Sequence, residues 1–150
     1  MINWSYNPED YGKTRPIKPG NYRVRIEEAE EQVSKTGRDM IKMTLKVSGQ
    51  SQKIFHYFVF VQENPEMTND KLGRIFDSFG ITPGDLNVLN WRGKVGAAEI
   101  SNETDNQGNI QSRIKFFIKR DQQGLLPAWQ ENPTRINSDM LNPDSDEPPF

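Results

Sequence analysis

Between Gly20 and Val47, two runs of residues alternate apolar and polar with a period of two. Tyr22, Val24 and Ile26 alternate with Arg23, Arg25 and Glu27, and Ile41, Met43, Leu45 and Val47 alternate with Lys42, Thr44 and Lys46. That period puts one set on each side of a sheet, so the apolar sets pack a core while the mostly basic sets meet solvent. It predicts strands over residues 21–31 and 40–47, joined by the turn Ser34-Lys35-Thr36-Gly37-Arg38. Gly37 is the residue suited to a positive φ there. A third run, Ile54 to Val61, is apolar on both faces. With Ile54, Phe58 and Phe60 inward, Phe55 and Tyr57 are the exposed rings; in the opposite register His56, Phe58 and Phe60 are exposed. A one-residue slip exchanges the two faces, and the first arrangement is favoured.

After Pro65 the period changes to that of a helix. Leu72, Ile75, Phe76 and Phe79 recur on one face, Thr68 or Asn69 is placed to cap the start, and Gly80 to stop the end. Gly73 weakens this helix by ~1 kcal/mol relative to alanine, so packing must hold it. Residues 91–100 read as a fourth strand, whose Gly93 and Gly96 mark sharp curvature or close backbone approach. A fifth strand over 110–119 places Ile110, Ser112, Ile114, Phe116 and Ile118 inward and Arg113, Lys115, Phe117 and Lys119 outward. Three strands, a helix and two more strands give an all-β fold with one short helix. The element order is that of a five-stranded OB barrel.

Outside this body the pattern dissolves. Residues 1–20 read as an irregular arm held to the domain by Trp4, Tyr6 and Tyr11. Residues 121–150 are rich in Asn, Pro, Asp, Ser and Gln, a composition expected to stay disordered. The net charge of -2 hides an asymmetry: residues 1–120 carry 18 Lys and Arg against 15 Asp and Glu, whereas residues 121–150 carry one against six. A mildly basic body with an acidic tail is set up to meet two kinds of partner. No stretch approaches the ~18–20 apolar residues of a membrane span, and the first residues lack the order of a secretion signal. With no cysteine, disulfides and Cys-ligated zinc are excluded, which suits a cytoplasmic protein.

Catalysis finds little support in these residues. The single histidine, His56, lies in a strand without a nucleophile elbow, and no phosphate-binding glycine loop is present. The acidic cluster Glu27, Glu28, Glu30 and Glu31 reads as a solvated strand end. No enzymatic role, cofactor or metal is therefore expected. The outward basic set is the stronger lead. Arg23, Arg25, Lys42, Lys46, Arg113, Lys115 and Lys119 would neutralise successive phosphates, while exposed rings stack bases. Phe117, set among outward cations, lacks a core role in that register. Phe55 and Tyr57 join it as candidate stackers, Trp91 is either a rim stacker or a loop anchor, and Lys35 and Arg38 are placed to close over a bound strand. At the C-terminus, Asp144, Asp146, Glu147, Pro148, Pro149 and Phe150 combine acidic charge, restrained backbone and a terminal aromatic anchor, a set that a basic partner groove can hold.

Those last residues resemble the acidic tip of bacterial single-stranded-DNA-binding proteins, which ends in acidic residues followed by Ile-Pro-Phe; here Pro148 stands where isoleucine is usual. The body is similar to a family of small phage-encoded OB-fold single-stranded-DNA-binding proteins. The similarity is carried by Pro19-Gly20-Asn21-Tyr22, by Ser34-Lys35-Thr36-Gly37 followed by Met40-Ile41-Lys42, and by Ile75-Phe76-Asp77-Ser78-Phe79-Gly80. The resemblance implies a protein of an infected bacterial cytoplasm that coats single-stranded DNA, or RNA, during replication, recombination and repair. It implies a tail that recruits replication or recombination proteins and leaves room for a homo-oligomer. Two other classes stay open: an OB-type module for a protein partner in virion assembly, and a carboxylate-dependent nucleic-acid enzyme.

Overall fold

Alternating residues build a single antiparallel sheet of five strands, described in a computed structural model for residues 1–8 and 16–131. The strands are β1 (Gly20–Val33), β2 (Asp39–Val47), β3 (Lys53–Val59), β4 (Val95–Thr104) and β5 (Ile110–Phe117), in the spatial order β3-β2-β1-β4-β5. Val24 and Ile26 of β1 and Ile41, Met43, Leu45 and Val47 of β2 are all buried, so the inward sets are those the period-two pattern predicts. The β1–β2 turn has Gly37 at φ 84°. The architecture is OB-like, with one α-helix between the third and fourth strands. The sheet does not close into a full barrel among the described residues. Its outer strands β3 and β5 face one another through side chains, with the His56 ring edge-on to Phe117 at 5.1 Å between centroids.

The helix, α1 (Pro65–Phe79), starts earlier than the predicted cap at Thr68 or Asn69. Asn64 is the cap: its side chain accepts from the Met67 backbone N–H at 3.3 Å. Pro65 follows at the first helical position, where its missing N–H costs nothing. Thr68 is buried inside the first turn, donating to carbonyls of Asn64 and Val61. Gly80 ends the helix in the left-handed region at φ 67°. Leu72, Ile75, Phe76 and Phe79 cover the core, as their spacing predicts. Gly96 is where this helix meets β4: a Cβ there would lie 2.8 Å from Phe79 Cδ1 and 2.9 Å from the Ser78 carbonyl oxygen.

Three expectations are corrected. Trp4 and Tyr6 are 80% and 68% exposed, so they do not anchor the N-terminal arm. Ile17 does, buried and donating its N–H to Ser112 Oγ at 2.7 Å. The fourth strand begins at Val95 rather than at Trp91, which ends a short 3-10 turn, Val88–Trp91. The chain also stays on the body past residue 120. Gln123 is buried and its side-chain amide donates to the carbonyls of Ser78 and Ile118, closing the seam between α1 and the end of β5. Tyr11 and the tail residues Asp144, Asp146, Glu147, Pro148, Pro149 and Phe150 lie outside the described residues.

Candidate functional site

Residues paired across an antiparallel ladder share a face, so the register gives the outer surface directly. Lys42 pairs with Tyr57, Thr44 with Phe55, and Lys46 with Lys53, while Arg25 pairs with Lys46 on the other side of β2. The open question of β3 resolves accordingly. Ile54, His56 and Phe58 face inward with Leu45, Met43 and Ile41, and Phe55 and Tyr57 face outward, each 47% exposed. The Lys42 ammonium stands 4.7 Å from the Phe55 ring centroid, a cation–π contact on an exposed face. Two rings on alternate positions of one strand are thus flanked by Lys42 and Lys46 on the next.

His56 belongs to the inner side of this strand and takes no part in the surface. Burial, with the nearby Lys71 ammonium adding to it, lowers its pKa to about 4, so the ring is neutral near pH 7.

Two of the predicted stackers are corrected. Phe117 is buried, not outward, and packs against Phe79 as well as His56. The cause is a β-bulge: Glu99 pairs with Phe116 and Ile100 with Ile114, so Lys115 is the extra residue and the alternation shifts after it. Phe116 takes the outward place instead, 40% exposed and near the Arg74 guanidinium. Trp91 is fully buried, with its indole N–H donating to the Asp85 carbonyl at 2.9 Å. It is the loop anchor and not a rim stacker.

The continuous basic face is also corrected. A second bulge, between Ile26 and Glu28, shifts β1 so that Glu28 pairs with Thr44 and Glu30 with Lys42. Carboxylates therefore replace cations on the far half of β1. On β5, Arg113 sits 3.7 Å from Glu103 and Lys115 3.4 Å from Glu99, so each cation faces a carboxylate of β4. Lys119 lies beyond β5 and lines a shallow groove with Asn69, Arg74 and Asp77 of α1. Lys35 is exposed in the β1–β2 turn. Arg38, in the same turn, binds both carboxylate oxygens of Glu63, and this hydrogen bonding lowers the Glu63 pKa to about 2.

Arg23, Arg25 and Lys46 remain on the outer face, and all three are held by the chain itself. Arg23 donates to the Pro127 carbonyl at 2.7 Å. Arg25 donates to Glu27 at 2.6 Å and to Glu131 at 2.7 Å, and Lys46 reaches Glu131 at 3.1 Å. The structure thus gathers Arg25, Lys42, Lys46, Phe55 and Tyr57 into one surface and adds Lys53, Trp129 and Glu131, which the pattern of the sequence did not single out. Lys53 becomes visible once the hairpin register is known. Trp129 and Glu131 sit in a stretch whose composition argues for disorder.

No curated protein matches the chain. Residues 5–127, spanning the whole sheet, the helix and the segment that crosses Arg23, match one family along their length. By that match the chain belongs to the family described as Protein of unknown function (DUF669).

Proposed function

We propose that the protein binds single-stranded DNA without sequence preference along the outer face of β2 and β3. The observation that carries this reading is the pair Phe55 and Tyr57, both exposed on β3 beside Lys42, Lys46 and Lys53. Alternate residues of a strand stand about 6.8 Å apart, whereas stacked bases along one DNA strand are about 3.4 Å apart. Neighbouring bases can each take a ring only if the strand is stretched and its bases are unpaired, so the spacing selects single strands over duplex. The rings stack any base, and the cations meet the phosphates without reading sequence. The same face, strands 2 and 3, is the one OB folds use for oligonucleotides. The reading places the protein in phage DNA replication, recombination or repair, with residues 144–150 recruiting partner proteins and no catalytic step or cofactor.

The test is binding of oligo-dT, oligo-U and a duplex of equal length across a salt series. With Arg25, Lys42, Lys46 and Lys53 each meeting a phosphate, the logarithm of the affinity should fall with that of salt at a slope of about -3. Oligo-dT should bind far more tightly than duplex. Equal affinity for duplex, or no binding to oligo-dT at low salt, overturns the assignment. Tighter binding of oligo-U would move it to RNA.

A further inference from the structure

The segment Pro127–Glu131 crosses the outer face at the edge of the surface just described. Two hydrogen bonds hold it at β2's end: the Gln130 N–H donates to Ser48 Oγ and the Gly49 N–H to the Gln130 carbonyl, each at 2.9 Å. Between these anchors and Arg23, the Trp129 ring lies 4.7 Å from the Arg25 guanidinium carbon. The Glu131 carboxylate bridges Arg25 and Lys46 and also accepts from the Trp129 indole N–H at 2.7 Å. The indole, Lys46 and Arg25 together hold the Glu131 carboxyl near a pKa of 2, so it is an anion at neutral pH.

A flat ring on a guanidinium and an anion shared by two cations are the contacts that a base and its phosphate would make. We propose that Arg25 and Lys46 form one nucleotide subsite, and that Trp129 and Glu131 occupy it in the free protein and leave when single-stranded nucleic acid binds. This rests on the reading of the β2–β3 face as a nucleic-acid surface and extends it towards β1. The strap is built to leave. Pro127, Ala128, Gln130 and Glu131 are all exposed, and Trp129 is only partly covered, so no side chain of the strap is buried. Its ion pairs run through a Glu131 carboxylate that is itself 45% exposed, and pairs with one such exposed partner are weakened by salt. A polyanion that also gains Lys42, Lys53 and two stacking rings makes more contacts than the five strap residues give up.

The experiment compares the full-length protein with its Glu131→Gln and Trp129→Ala variants for oligo-dT binding at moderate salt. A fluorine label on the tryptophans reports Trp129, identified by its loss in the second variant. The competitor should make itself felt as a three- to tenfold tighter oligo-dT affinity in each variant, and the Trp129 resonance should move on adding oligo-dT to the unchanged protein. Unchanged affinity together with a static Trp129 resonance overturns the subsite, leaving the strap a fixed part of the body. Weaker binding in Trp129→Ala also overturns it, because Trp129 would then be stacking a base itself. If neither the protein nor its variants bind oligo-dT at low salt, the function reading fails and the subsite with it. That outcome is distinct from failure of the strap alone, in which the unchanged protein still binds.

Discussion

Phe55 and Tyr57 expose nearly half their surface while their strand neighbours Ile54 and Phe58 are buried. Replacing either outward ring with alanine should weaken oligo-dT binding by about 1–3 kcal/mol and leave the melting temperature almost unchanged. A melting loss as large as the affinity loss would place these rings in the fold instead. Between them, His56 points the other way, and its lowered pKa has a consequence for stability. Its folded value, about 4, lies below the ~6.5 of the unfolded chain. The unfolded chain therefore takes up the proton first, so the contribution is fully present above about pH 6.5 and lost as pH falls toward 4. Urea unfolding should show a loss approaching ~3 kcal/mol over that window, and His56→Leu should flatten it. Glu63 and Glu131, both held near 2, lose their contributions only below their unfolded values near 4.5, so the two effects separate on the pH axis. The outward rings of β3 were legible as one of two arrangements in the sequence, because period-two alternation there allows either face. Phe117 was not legible at all: one extra residue, Lys115, exchanges its face with that of Phe116, and nothing in the local composition marks the bulge.

Elements were more legible than single residues. Strong alternation in β1 and β2 and the helical spacing from Leu72 to Phe79 follow from burial on one side, and burial leaves a pattern. Boundaries were less so. Asn64 and Pro65 start the helix about two turns before Leu72, where its apolar face begins, because capping is a backbone requirement separate from the packing stripe. Gly96 combines both kinds of signal. A glycine in a strand announces either a bend or a close approach, and here the approach is the Ser78–Phe79 end of α1. Gly96→Ala should lower stability by about 1–3 kcal/mol in denaturant unfolding, since its methyl meets a carbonyl oxygen as well as a ring. Alanine at exposed Gly73, which has open space around its Cβ position, should instead stabilise the helix by up to ~1 kcal/mol. Equal effects at the two sites would contradict the packing described for β4.

At the scale of the molecule, charge is divided by strand. Cations gather on the outer side of β2, the near half of β1 and Lys53 of β3, whereas Arg113 and Lys115 on β5 face the carboxylates of Glu103 and Glu99. Lys42→Glu should therefore reduce oligo-dT affinity at least tenfold and make the salt dependence shallower, while Arg113→Glu should change it less than threefold. The reverse order would move the binding surface to β5. The order of elements along the chain was readable from the sequence, but the contact that ends the sheet was not. It depends on where β3 and β5 come to rest, and they meet through His56 and Phe117 rather than through a ladder. That seam sets how the amide protons of this sheet exchange with water. Val24 and Arg25 lie where β1 is paired on both sides, so their stretch opens only with the whole sheet. The facing edges of β3 and β5 have a ladder on one side alone and can part by rotating two aromatic rings. Deuterium uptake should accordingly be slowest in the middle of β1 and markedly faster along β3 and β5, with bound oligo-dT slowing β3 more than β5.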